Sequence, residues 1–198
     1  MGRVRAVAFD YYFTLADPGR SSRDTLKVML TDLAASFDVD DLLQARALLK
    51  MGDIGRAVDG EPPPFRSFRD GWTTYGDQLL SSLGISGAGS SFADARAAAH
   101  ASAVVFDDAQ DTLDRLRAAG YRLAVLSDAD TGYLQSNISR NGLTLDAVLS
   151  SEQLRCYKPH SSVFRAICEA LDLEPGNVAY VGDNPTIDVD GARQAGAE

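Results

Sequence analysis

Asp10 closes an apolar run at positions 4–9 and is followed by Tyr11-Tyr12-Phe13-Thr14-Leu15. Other residues of chemical weight follow apolar runs in the same way: Ser127 after 123–126, Ser150-Ser151 after 147–149, and Gly182-Asp183 after 178–181. Lys158 lies in Cys156-Tyr157-Lys158-Pro159, and Asp188 stands in Gly-Asp-Asn-Pro-Thr-Ile-Asp. If these residues converge, Asp10, Asp183 and Asp188 repel and raise one another's pKa unless a cation neutralises them. Hard oxygen ligands without His or Cys select Mg²⁺ over Zn²⁺. Beside Lys158 and Ser127, such a centre makes a pocket for a dianion such as a phosphoryl group, with an ionised Asp as nucleophile.

The elements needed to bring them together are legible. Short Val-rich runs bounded by loop residues read as strands buried on both faces. Between the later ones, Ala109, Leu113 and Leu116 recur at helical spacing before Gly120. Phe164, Ile167, Cys168 and Leu171 do so after Ser161 or Ser162, either of which could cap the helix. Strand and helix in alternation predict an α/β fold with a parallel sheet. Ligands in such sheets bind outside the carboxyl ends of the strands, where these residues fall.

Residues 18–102 break the rhythm. Leu26, Met29, Leu30, Leu33 and Phe37 form one apolar stripe; Phe65, Phe68, Trp72, Tyr75 and Leu79 form a second. Leu42, Leu43, Ala47 and Leu48 suggest a shorter helix between them, and residues 93–103 a fourth. Residues 61–64 and 84–91 read as loops. The aromatic stripe reads as the insertion's own core. Gly191-Ala-Arg-Gln-Ala-Gly196 reads as a helix end, after which a parallel sheet would usually add a strand; a truncated C-terminus is therefore an expectation.

The chain has 198 residues and a formal net charge of −9, with 45% hydrophobic and 24% charged residues. That fits one folded domain with an insertion and argues against nucleic acid as a partner, since phosphates need a basic surface. Two cysteines, Cys156 and Cys168, make no disulfide framework and share no ligand spacing with His100 or His160. No run is long and apolar enough for a signal peptide or membrane span, so the expected location is cytoplasmic, with no membrane partner.

In order and over nearly its whole length, the chain resembles the haloacid dehalogenase-like hydrolase superfamily. The motifs are Phe9-Asp10-Tyr11-Tyr12-Phe13-Thr14-Leu15, Val125-Leu126-Ser127-Asp128, Tyr157-Lys158-Pro159, and Val181-Gly182-Asp183-Asn184-Pro185-Thr186-Ile187-Asp188. The resemblance implies a Rossmann-like three-layer core from residues 1–17 and 103–198, with 18–102 as a small all-helical cap. It implies Asp10 as nucleophile, Ser127 and Thr14 as hydrogen-bond donors, and Lys158 as the neutralising cation. Mg²⁺ would be held by Asp10, Asp183 and the Tyr12 carbonyl, with Asp188 binding a metal-bound water or orienting Lys158.

One position departs from the phosphatase pattern. Superfamily phosphatases carry a second Asp where this chain has Tyr12, and a phenol is a poor general base near neutrality. The 2-haloacid dehalogenase branch has Tyr there, since halide leaves without a proton. It needs no metal, however, and lacks the Gly-Asp-x-x-x-x-Asp fourth motif. The leading expectation is a Mg²⁺-dependent phosphatase acting on a small anionic phosphate ester. A 2-haloacid dehalogenase and a binding or regulatory protein with the fold but little turnover are the alternatives. Phe13, where Gly is usual, narrows the entrance.

The remaining polar residues have plainer readings. Asp183 and Asp188 could cap a helix, Lys158 could be a solvated loop residue, and His100 and His160 read as structural or exposed. Cys168 reads as a small hydrophobe and Cys156 as an inert thiol. Arg20, Arg23 and Arg56 read as solvated surface, with reach toward an anionic substrate as the second reading. Monomer and homodimer both remain open.

Overall fold

The computed structural model describes residues 3–49, 60–62 and 64–198. In chain order these form β1 (Ala6–Phe9), β2 (Ala16–Asp17), α1 (Gly19–Asp32), α2 (Val39–Leu48), α3 (Phe68–Ser82) and α4 (Gly89–Ala101). Then come β3 (Val104–Val105), α5 (Ala109–Ala118), β4 (Arg122–Ser127), α6 (Thr131–Arg140), β5 (Ala147–Ser150) and α7 (Ser151–Leu154). The chain ends with α8 (Ser161–Ala170), β6 (Val178–Val181), a wide helical turn at Pro185–Asp190, and α9 (Gly191–Gln194). Among the described residues, no helix is long and apolar enough to cross a membrane.

Four strands pair in parallel in the order β5-β4-β1-β6. Period-two alternation sends neighbouring side chains to opposite faces, and both faces are apolar. Val7, Phe9, Leu123 and Val125 pack with Leu113 of α5 and Leu134 of α6. Ala6, Ala8, Ala124 and Leu126 pack with Phe164 and Ile167 of α8 and Ala192 of α9. The result is a Rossmann-like three-layer α/β core. β1 lies between β4 and β6, with Phe9 level with both Val125 and Val181. The chain leaves β1 toward β4 and returns on the other side through β6, so the sheet reverses beside β1, where open α/β sheets bind ligands.

The antiparallel pair β2·β3, with Ala16 opposite Val105, closes the ends of the helical segment. Two residues per strand leave too little periodicity to be read from sequence. Three local expectations need correction. α1 stops at Asp32 and Ala34 takes φ 49°, so Phe37 lies beyond the helix, although it still packs on the core. Leu48 is exposed at the end of α2 rather than on an apolar face. His160, not Ser161 or Ser162, caps α8, its side chain accepting from the Ser162 N–H. The chain's last residue lies along β6: Tyr180 N–H donates to the Glu198 carbonyl at 2.8 Å, and Glu198 N–H to the Val178 carbonyl at 3.0 Å.

Phe13 sits at φ 71° in the turn after β1 and is 56% exposed. A side chain there costs about 1–2 kcal/mol, which glycine avoids. Phe13→Gly is therefore expected to stabilise the fold by about 0.5–1 kcal/mol after glycine's extra chain entropy, read as a higher urea midpoint.

Candidate active site

Asp10 follows β1 directly, and its N–H donates to the Val181 carbonyl at 2.8 Å, locking it to the carboxyl edge of β6. The turn beyond it is tight: Tyr11 O accepts from the Leu15 and Ala16 N–H groups, and Phe13 N–H donates to Ala16 O. These bonds leave the Tyr12 carbonyl out. Thr14 Oγ1 lies 3.5 Å from Asp10 Oδ2, at the outer limit of a hydrogen bond.

Lys158 is the centre of the site and is 2% exposed. Its ammonium donates to Asp10 Oδ1 at 2.8 Å, Asp188 Oδ1 at 2.7 Å and Tyr180 Oη at 3.2 Å. Burial works to lower its pKa, but Tyr180, Asp10, Asp128 and Asp188 together hold it well above the usual lysine value. Burial pushes Asp10 the other way, from 3.8 to about 6, against the pull of Lys158. Asp188 Oδ2 also accepts the Asn184 N–H at 3.0 Å. A Cβ on Gly182 would fall 2.3 Å from the Asp188 carboxyl carbon, so only glycine lets that carboxylate stand there.

Asp10, Ser127, Lys158, Asp183 and Asp188 line one pocket of about 250 Å³ together with Tyr12, Phe13 and Asp128. Carboxylate oxygens of Asp10, Asp183 and Asp188 lie within 4.8 Å of one another. Three carboxylates against one ammonium leave two negative charges, which a hard dication such as Mg²⁺ matches in charge and donor type. Ser150 and Ser151 are brought to the same edge but not into the pocket. Ser150 caps α7 in a box with Gln153, and Ser151 Oγ bonds both backbone groups of Ala129. The Ser-x-x-Gln spacing of that capping box was the available sequence signal.

Tyr12 is a wall of this pocket. Its phenol donates to the His100 carbonyl at 3.2 Å, and burial pushes its pKa up. Sequence reasoning missed several of the surrounding groups. His100 is buried, its pKa lowered to about 4 by burial and then by Arg96, and its ring lies against Tyr12, Trp72 and Tyr133. Phe68 and Trp72, from the stripe expected to be only core, also line the pocket. Tyr180, which donates to the Leu126 carbonyl at 2.9 Å, supports Lys158 from below. Of the arginines considered, Arg20 and Arg23 pair with Asp17 and Asp40, and Arg56 lies outside the described residues.

Asp130, also missed, ties the helical segment to the core. Its buried carboxylate accepts the Phe68 and Arg69 N–H groups, both at 2.9 Å, at the start of α3. Asp130→Ala leaves those donors unpaired and should cost about 1–3 kcal/mol in urea unfolding, with a higher KM because Phe68 and Trp72 lose their anchor.

Residues 4–196 match the haloacid dehalogenase-like hydrolase family. An (S)-2-haloacid dehalogenase from Xanthobacter autotrophicus is 32% identical over 209 residues, covering 98% of this chain and 72% of that protein. (S)-2-haloacid dehalogenase 4A from Burkholderia cepacia is 35% identical over 81 residues, 40% of this chain, and the match spans about a third (35%) of that relative's length. The magnesium-bound HAD-hydrolase YfnB from Bacillus subtilis shares the fold with a TM-score of 0.79 at 17% identity, covering 100% of this chain and 87% of that one. With the motif carboxylates, Ser127 and Lys158 at one sheet edge and a match over nearly every residue, the chain belongs to the haloacid dehalogenase-like hydrolases.

Proposed function

We propose that the chain hydrolyses a small 2-haloacid by attack of the Asp10 carboxylate on carbon. The new C–O bond forms as the carbon–halogen bond breaks and halide leaves with the electron pair. Water then cleaves the ester, restoring Asp10 and releasing a hydroxy acid and a proton. The observation that carries this reading is Tyr12: its phenol is committed to the His100 carbonyl, so it offers no acid to an alkoxide leaving group, and halide needs none. Similarity to haloacid dehalogenases supports it. In this reading residues 18–102 act as a cap supplying Phe68, Trp72 and His100, while 1–17 and 103–198 form the catalytic core. Lys158 offsets the charge of Asp10, Ser127 orients the substrate and Thr14 donates to Asp10.

The carboxylate cluster favours a second reading, a phosphatase acting on a small phosphate ester. Asp10, Asp183 and the Tyr12 carbonyl would hold Mg²⁺, with Asp188 behind them. When bound, Mg²⁺ would screen the charge of the transferring group. Halide release from 2-chloropropionate in EDTA is the expected result. No halide, with Mg²⁺-dependent phosphate release that Tyr12→Asp raises by about 10²–10⁴, would replace the first reading with the second.

A further inference from the structure

A second cavity, of about 380 Å³, is lined by Arg23, Arg46 and Arg96 together with Phe13 and Ser22. Phe13 also lines the catalytic pocket, and Trp72, another catalytic-pocket residue, carries the Arg96 guanidinium 5.7 Å from its ring centre. The two cavities therefore share a wall. Arg23 pairs with Asp40 at 2.6 Å, and Arg96 donates to Ser22 Oγ. Among the described residues, no carboxylate pairs with Arg46 or Arg96. Burial, and then the charge of Arg46, lower the Arg96 pKa to about 10, so these cations sit close enough to oppose each other. In a chain of net charge −9, this is a local concentration of positive charge beside the reacting centre.

We propose that this cavity is an anion-binding annex that receives the far carboxylate of a substrate whose reacting end lies at Asp10. A guanidinium pair matches a carboxylate in charge and in planar hydrogen bonding. The proposal rests on Asp10 marking the reacting end, but its test reads binding rather than turnover, so the two can fail separately.

Calorimetry with the intact protein would compare propionate, succinate and glutarate. The expected result is that one dicarboxylate binds at least about tenfold more tightly than propionate, and that Arg46→Met removes the advantage while leaving propionate binding unchanged. Arg96→Lys, which keeps the charge and packing stem, should lose part of it; this variant covers the case in which Arg46→Met fails to fold. Equal binding of mono- and dicarboxylates, or an advantage that survives Arg46→Met, would overturn the proposal. Sulfate is the control for a free-anion site. Competition with the dicarboxylate but not with propionate supports the annex, whereas sulfate binding alongside the dicarboxylate overturns it.

Discussion

With Asp10 as the proposed nucleophile, Asp10→Asn is expected to lower turnover by about 10⁴–10⁶ while stabilising the fold above neutral pH. The amide is a far weaker nucleophile than the carboxylate, and losing the covalent step in other hydrolases costs rate on that scale. The stability gain follows from burial. Asp10 has a folded pKa of about 6 against an ordinary 3.8, burial being the largest cause. A carboxyl whose folded pKa exceeds its unfolded value favours the native state at low pH and loses that advantage as pH rises from about 4 to about 6. Removing the ionisable group should therefore add up to about 3 kcal/mol above pH 6 and nothing below pH 4, checked by urea unfolding at pH 4 and 8. If Asp10 is the nucleophile, as proposed, the acid limb of activity in the unsubstituted protein without added metal is expected near pH 6, because the attacking carboxylate must be ionised.

Lys158→Met acts on the same ion pairs with the opposite stability sign. It removes the ammonium 2.8 Å from Asp10 and 2.7 Å from Asp188, leaving two buried carboxylates without it. Breaking such a pair from one side costs about 3–5 kcal/mol. Losing the cation removes the pull that opposes burial at Asp10, so the part of the penalty carried by Asp10 is full at pH 8 and shrinks toward pH 4, as protonation removes its charge. Turnover should fall as well. A variant as stable as the parent at pH 8 would mean that Lys158 does not carry the neutralisation assigned to it. Double substitution with Asp10→Asn should recover part of the loss, since one uncompensated charge is then absent.

Much of the core was legible because its information is local. Short Val-rich apolar runs bounded by loop residues located β1, β4, β5 and β6 within two residues, and chain order alone put Asp10, Ser127 and Asp183 at strand ends. Lys158 and Asp188 were identifiable from short motifs. What the spacing could not reveal was which neighbours those side chains meet. Tyr180 reaches Lys158 from 22 residues away, and Asp130 reaches the start of α3 from 62 and 61 residues away. Trp72 belongs to a stripe whose own pattern marks it as core, and His100 reads only as structural or exposed; their place beside Tyr12 follows from how α3 and α4 pack over the sheet edge.

Periodicity and motif order survive in one dimension, so the α/β class, the family resemblance and the residues able to do chemistry could all be read along the chain. What those residues can do was set by the folded arrangement. It turned the Tyr12 phenol toward His100, buried Lys158 between two carboxylates, and set an arginine-lined cavity against Phe13. Hydrogen-bond partners, desolvation and charge balance depend on distances across the fold, and spacing along the chain does not encode them.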